Sequence, residues 1–402
     1  MAAEAENEVG SRVLPRTLAG ATVLQIVPAL QSDAAARATL DIARTLVHAG
    51  ARSIVAAERG ALVDDLKSFG GEWLPFKSST LNPLILRRTA GKLATFVKEQ
   101  RVDIIHAKSA GGAWCALRAG GGARVVTDLP DLPRNRMRMA AIYLGATAGG
   151  HRVIAKSLFH AAPMIERYGI APERVAVIPP SIDTAQFDPI IVRPPRVAAL
   201  KQAWGIPSGV RVVVVPGRVA PWNGQIHLVE AARTLVGTTR HPVTFVLVGD
   251  DRRHSRYARS LAKAAQEAGV DSLFRTAGHV VDMPAAYAAS DIVVAPYVAP
   301  PPYGRVVAEA QAMARPVIAS AIGPLPENLL APPRMPDALR TGWLVQAANP
   351  SELAHAIDAA LSLDAPAYRA LAGRAKQYGE FMFAPQRIAA ATLGVYVSVL
   401  EQ

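Results

Sequence analysis

Short, almost wholly apolar runs recur along this chain, too brief for helices and too continuous for strands with one wet face. Val210–Val215 is a valine run broken only by Arg211, and Val243–Val248 (VTFVLV) is interrupted only by Thr244. Such runs belong to strands buried on both faces, as in a parallel sheet. The first half reads as strands at Ala21–Val27, Arg52–Ala57, Trp73–Phe76, Val102–His106 and Arg124–Thr127. Between them lie helical stretches at Ala35–Ala49, Leu62–Phe69 and Leu84–Gln100. The second half repeats the alternation. Its strands are Val210–Val215, Val243–Val248, Leu273–Thr276, Ile292–Ala295, Pro316–Ala319 and Leu344–Val345. Its helices are Gly224–Leu235, Ser255–Gly269, Met283–Ala289, Arg305–Ala314 and Ser351–Leu363. A joint bearing proline and arginine, Asp188–Pro195, separates the two series. Strands alternating with helices imply crossovers and an α/β class. At 402 residues the chain is too long for one core and suits two doubly wound, Rossmann-like domains. Ligands in such folds bind beyond the carboxyl ends of the strands, here in a crevice between two facing domains.

Composition narrows the function classes. The single cysteine, Cys115, excludes an internal disulfide, suits a reducing cytoplasm and reads as a buried inert thiol. No apolar run is read as long enough to span a membrane, and residues 1–18 lack a secretory layout and read as a tail. The formal net charge of +12 suits nucleic acid, an anionic membrane or an anionic substrate. Zinc-finger spacing, an aromatic RNA-binding strand and a basic-region helix are all missing from the sequence, which argues against nucleic acid.

Five segments in order then resemble the retaining glycosyltransferases of family 4. Val153–Pro189 (VIAKSLFHAAPMIERYGIAPERVAVIPPSIDTAQFDP) resembles the end of that family's first domain. Pro216–Ala231 (PGRVAPWNGQIHLVEA) looks like its donor loop, and Gly278–Pro296 looks like the helix and strand flanking the nucleobase. Tyr303–Ser320 (YGRVVAEAQAMARPVIAS) looks like the helix with the ribose-binding carboxylate, and Thr341–Val345 like the late strand. VLQIVPALQSDAAARATLDIARTLVHAG and VDIIHAKS in the first half also align, so the resemblance covers about residues 21–375.

The resemblance implies a GT-B fold. Beyond the tail at 1–18, it implies an acceptor-side domain at 19–189, a nucleotide-sugar domain at 190–375, and a 376–402 segment whose helix Pro385–Leu400 crosses back. It implies that Arg218 meets the donor diphosphate, where a cation stabilises the leaving group. It implies that Glu309 accepts the ribose hydroxyls, and that Val280, Met283, Tyr303, Gly304, Arg305 and Val306 line the donor site. His106, at a strand end, reads either as a catalytic-site group or as a packed histidine. The donor would be UDP- or GDP-linked, with no metal. The acceptor would be lipid-linked or a polysaccharide, as in bacterial envelope or lipopolysaccharide assembly.

The sequence departs from the family at the groups nearest sugar and diphosphate. Ser32-Asp33-Ala34-Ala35-Ala36 stands where a Gly-Gly pair is expected, and Pro130 where a histidine is. Asn223 replaces a diphosphate lysine, and Pro301 replaces the first of two glutamates. An amide donates hydrogen bonds but carries no charge. Two readings stay open: a working transferase in which Arg252, Arg253 or Lys108 supplies the missing cation, or a catalytically degenerate homologue kept for binding or assembly. A binding module or epimerase that merely shares the fold is a third. Two basic stretches, Leu86–Lys98 and Pro133–Tyr143, suggest peripheral contact with an anionic membrane on the cytoplasmic side, or a solvated basic face.

Overall fold

The computed structural model describes residues 18–80, 82–130, 144–250 and 254–402. The chain divides into two compact units at Ser181/Ile182 and at Ala384/Pro385. The first division thus precedes the joint anticipated at 188–195, which lies inside unit 2.

Unit 1 is built on seven strands: β1 (Thr22–Ala29), β2 (Arg52–Glu58), β3 (Glu72–Pro75), β4 (Ile104–Ala107), β5 (Arg124–Asp128), β6 (Arg152–Ala155) and β7 (Val175–Val177). They lie in the order β3-β2-β1-β4-β5-β6-β7, and every neighbouring pair is parallel. The helices with them are α1 (Ala34–His48), α2 (Val63–Ser68), α3 (Pro83–Glu99), α4 (Ala110–Ala119) and α5 (Leu158–Tyr168).

Unit 2 has six strands: β8 (Arg211–Pro216), β9 (Val243–Val248), β10 (Phe274–Gly278), β11 (Ile292–Ala295), β12 (Val317–Ser320) and β13 (Gly342–Val345). Their order, β10-β9-β8-β11-β12-β13, repeats that of unit 1, again all parallel. Its helices are α6 (Pro194–Ala203), α7 (Gln225–Thr238), α8 (Ser255–Glu267), α9 (Met283–Ala289), α10 (Arg305–Ala312), α11 (Pro350–Leu361) and α12 (Ala365–Phe383). The last helix, α13 (Pro385–Leu400), belongs to unit 1. Two parallel-sheet α/β domains of this order are the GT-B fold.

The apolar runs became the central strands. Val212–Val215 of β8 is buried throughout, as is Phe245 of β9, whose ring stacks on Phe274 at 5.0 Å. Local chemistry sets the helix starts. Asp33 accepts the Ala36 N–H at 2.8 Å to cap α1, and Asn82 caps α3 ahead of Pro83. On the inner face of α13, Ile388, Leu393, Tyr396 and Val399 meet Val23, Ile104, Val126 and Ile154 of the unit 1 sheet.

Four helices, α4, α5, α6 and α12, were not anticipated. The stretch Ala365–Leu400 also corrects the reading of no membrane-length apolar run, because one window in it is long and apolar enough to cross a membrane. Here it is two helices broken at Ala384, one in each unit, and α13 has its apolar face against the unit 1 sheet. The tail and Pro133–Tyr143 lie outside the described residues, apart from Leu18 in the first. Replacing Phe245 with alanine should cost about 3–5 kcal/mol through the cavity left in the unit 2 core, read from urea unfolding.

Candidate functional site

In each sheet the chain reverses its direction of strand addition once: between β1 and β4 in unit 1, and between β8 and β11 in unit 2. Loops diverge at such a point and leave room for a ligand beyond the carboxyl ends.

In unit 2 the loop after β8 carries Gly217 and the exposed Arg218, whose side chain has no partner among the described residues. The Arg218 carbonyl is fixed from behind. It accepts from Asn223 Nδ2 at 2.6 Å and from Gln225 Nε2 at 2.9 Å. The loop also lies against the segment after β11, where the Val298 and Ala299 N–H groups donate to the Trp222 carbonyl. Gly224 has φ +70°, and a Cβ there would sit 1.9 Å from the Pro296 carbonyl oxygen, so only glycine fits. Asn223 is buried, with its amide turned into the loop as a strut.

Glu309 lies in the middle of α10, and its side chain is 7% exposed. Tyr287 of α9 donates to its Oε2 at 2.9 Å, and Arg305 Nε donates to its Oε1 at 2.5 Å. Burial raises the Glu309 carboxyl above the ordinary range, while Arg305 and Tyr287 pull it back. Tyr297, two residues beyond β11, is pushed up to about 12 by burial and by Glu309. Tyr303 stands edge-on to Phe383, Gly304 precedes α10, and Val306 packs with the apolar cluster around Tyr287. Val280 lines a hollow of about 460 Å³ with Trp204, Arg275 and His279, and both Val280 and Met283 pack against the core around Trp204. Pro301 offers neither donor nor acceptor side chain. Arg252 and Arg253 lie outside the described residues.

In unit 1 the strand ends carry a polar row. Gln25 of β1 is paired in register with His106 of β4, and Asp128 ends β5. His106 is 1% exposed, and both its nitrogens are engaged: Nδ1 with the Tyr396 hydroxyl at 2.7 Å, Nε2 with Asp128 Oδ1 at 2.7 Å. Burial pushes the imidazole below its usual value, against the pull of Asp128. A neutral ring then accepts from the tyrosine and donates to the carboxylate. Burial would raise Asp128, but His106, Lys108 and Lys156 outweigh it and hold the carboxylate low. Lys108 belongs to unit 1, donates to Thr39 Oγ1 at 3.2 Å, and is lowered to about 8 by burial. Asp33 caps α1, and Ala34 is the first residue of that helix. Pro130 follows buried Leu129. Cys115 is buried, its thiol raised to about 11 by desolvation.

Asp128, Lys156, Tyr287, Gln225 and Tyr396 were missed as site residues. A polar residue at a strand's carboxyl end marks Asp128 and Lys156. Only contact with a distant element marks Tyr396.

Two family descriptions match the chain: "Glycosyltransferase Family 4" over residues 35–186 and "Glycosyl transferases group 1" over residues 210–362. A D-inositol 3-phosphate glycosyltransferase of Saccharomonospora viridis is 30% identical over 204 residues, 49% of this chain; the chain spans 45% of that relative's length. A glycosyltransferase from Rickettsia africae superposes with a TM-score of 0.78 at 26% identity, covering 95% of this chain and 99% of that one. Anabaena HepE, solved with UDP and glucose, superposes with a TM-score of 0.70 at 22% identity, covering 94% and 100%.

Because the folded pKa of His106 lies below its unfolded value of about 6.5, its contribution to stability is present above that pH. It is lost as pH falls toward the folded value. The urea midpoint should therefore drop between about pH 7 and pH 5, and His106→Gln should flatten that drop while lowering the midpoint at neutral pH.

Proposed function

We propose that this chain, with a family 4 glycosyltransferase domain in its first half and a group 1 domain in its second, is a retaining hexosyltransferase using a UDP- or GDP-linked sugar. The observation that carries the reading is the carboxyl edge of the unit 2 sheet, within the group 1 match. There an exposed Arg218 is braced from behind and the buried carboxylate Glu309 is held by Tyr287 and Arg305. Arg218 faces the donor diphosphate and stabilises the charge that grows as the anomeric carbon–oxygen bond breaks. Glu309 receives the ribose hydroxyls, and the segment with Val280 and Met283 flanks the base. The acceptor oxygen joins the anomeric carbon on the face the diphosphate leaves, and its proton passes to the departing phosphate oxygen. No protein nucleophile and no metal enters that scheme.

Unit 1 takes the acceptor, a lipid-linked saccharide or polysaccharide of bacterial envelope or lipopolysaccharide assembly, on the cytoplasmic side of the membrane. Relatives named for D-inositol 3-phosphate supply the first small acceptor to try. Helix α3 supports a peripheral membrane site, since Leu84 is 80% exposed beside Ile85, Arg87 and Arg88.

One observation favours the second reading, a degenerate homologue that binds without turnover. The Asn223 amide is already engaged by the Arg218 carbonyl, and Pro301 contributes no polar group.

Calorimetric titration with UDP, GDP, their nucleosides and their sugars, beside a donor-hydrolysis assay, separates the two. Arg218→Ala should weaken UDP or GDP by about tenfold or more and spare the nucleoside, whereas Glu309→Gln should weaken the nucleoside as well. Sugar release by the wild type supports the transferase. Nucleotide binding without release supports the degenerate reading, and no binding at millimolar nucleotide removes the donor reading altogether. In flotation at low salt the protein should rise with vesicles containing anionic lipid, and less so once Arg87 and Arg88 are alanine.

A further inference from the structure

The missing lysine at 223 leaves the donor loop one cation short, and the structure offers a substitute from another element. Arg305 is the first residue of α10, and its side chain is 58% exposed. Its Nε is held by Glu309 Oε1, and its two terminal nitrogens have no partner among the described residues. The guanidinium is thus oriented by a buried carboxylate while its outer edge remains open. Burial lowers its affinity for a proton, but Glu309 outweighs that and raises it, so the group stays charged.

The surroundings are rich in donors. Gly304, at the α10 N-cap, has no side chain to accept from the first N–H groups of the helix. Asn328 is 5% exposed, and its Nδ2 is buried without a hydrogen-bond partner. That nitrogen is aimed at Gly304: a Cβ on the glycine would lie 2.4 Å from it. An orphaned buried amide donor, open helix N–H groups and a preset guanidinium all suit an anion with several acceptor oxygens.

We infer that Arg305 is the second diphosphate cation of this protein, acting beside Arg218 in place of the charge that Asn223 cannot supply. The inference rests on the nucleotide-sugar reading above. One ion pair then serves two groups of a nucleoside diphosphate. Glu309 addresses the ribose, and the guanidinium it holds addresses the phosphates.

Comparing a nucleoside with its diphosphate separates these roles. Calorimetry with UDP and uridine, or with GDP and guanosine if guanine is the base that binds, would be run on the wild type, Arg305→Gln and Arg305→Lys. Arg305→Gln should weaken the diphosphate by about tenfold or more and the nucleoside by less than about twofold, with Arg305→Lys in between. Adding Asn223→Lys to Arg305→Gln should restore most of the loss, since Gln225 still holds the Arg218 carbonyl. Equal losses for nucleoside and diphosphate would overturn the inference, because Arg305 would then act only by steadying Glu309. Unchanged diphosphate affinity would overturn it too. A wild type that binds neither nucleoside nor diphosphate defeats the donor reading itself, and this inference with it. Nucleoside affinity also reports that each variant is folded.

Discussion

Two side-chain amides converging on one backbone carbonyl set the geometry on which the rest of unit 2 depends. Asn223 and Gln225 hold the Arg218 carbonyl from behind, so two side chains restrain the turn after β8. Each bond is modest alone, but a partly buried carbonyl left unpaired would be costly, so the two together fix the turn. The turn can then lie on the segment after β11 through Trp222 and the close approach at Gly224. With that platform in place, the Arg218 side chain is directed outward. A lysine at 223 would carry a charge to the same spot and give up one of the two struts.

Unit 1 solves a different problem. Its strand ends bury a histidine that must stay neutral, and they do so with a tyrosine on one nitrogen and an aspartate on the other. The aspartate in turn is kept ionised by Lys108 and Lys156 as well as by the histidine. Both nitrogens of His106 are thus satisfied within unit 1, and that pairing accounts for its burial.

Much of the fold was legible because buried parallel strands leave an unmistakable apolar run; β9, α9 and β11 fall at the anticipated positions. The unread helices were hidden by glycine and proline. Helix α4 carries Gly111 and Gly112 in its first turn, residues that argue against a helix in isolation. They are there because a Cβ at Gly111 would come within 2.5 Å of the Ser78 carbonyl oxygen. Gly379 does the same for α12, where a Cβ would meet the Ala312 nitrogen at 2.9 Å. Close backbone approach, from a loop at Gly111 and from α10 at Gly379, demanded these glycines, and one sequence alone does not reveal the neighbour. At the candidate site, spacing located Arg218 and Glu309 on their turn and helix, but it could not show that Arg305 and Tyr287 already embrace the carboxylate.

The position of α13 bears on how the molecule is made. Its residues Ile388, Leu393, Tyr396 and Val399 complete the core of unit 1, although they follow all of unit 2 in the chain. During synthesis the unit begun first therefore waits for the last helix to emerge, and unit 2 can finish first. Until then the strands of unit 1 hold His106 without its tyrosine and expose the apolar face around Val23 and Ile104. Apolar surface left open in that interval makes a nascent chain prone to aggregate.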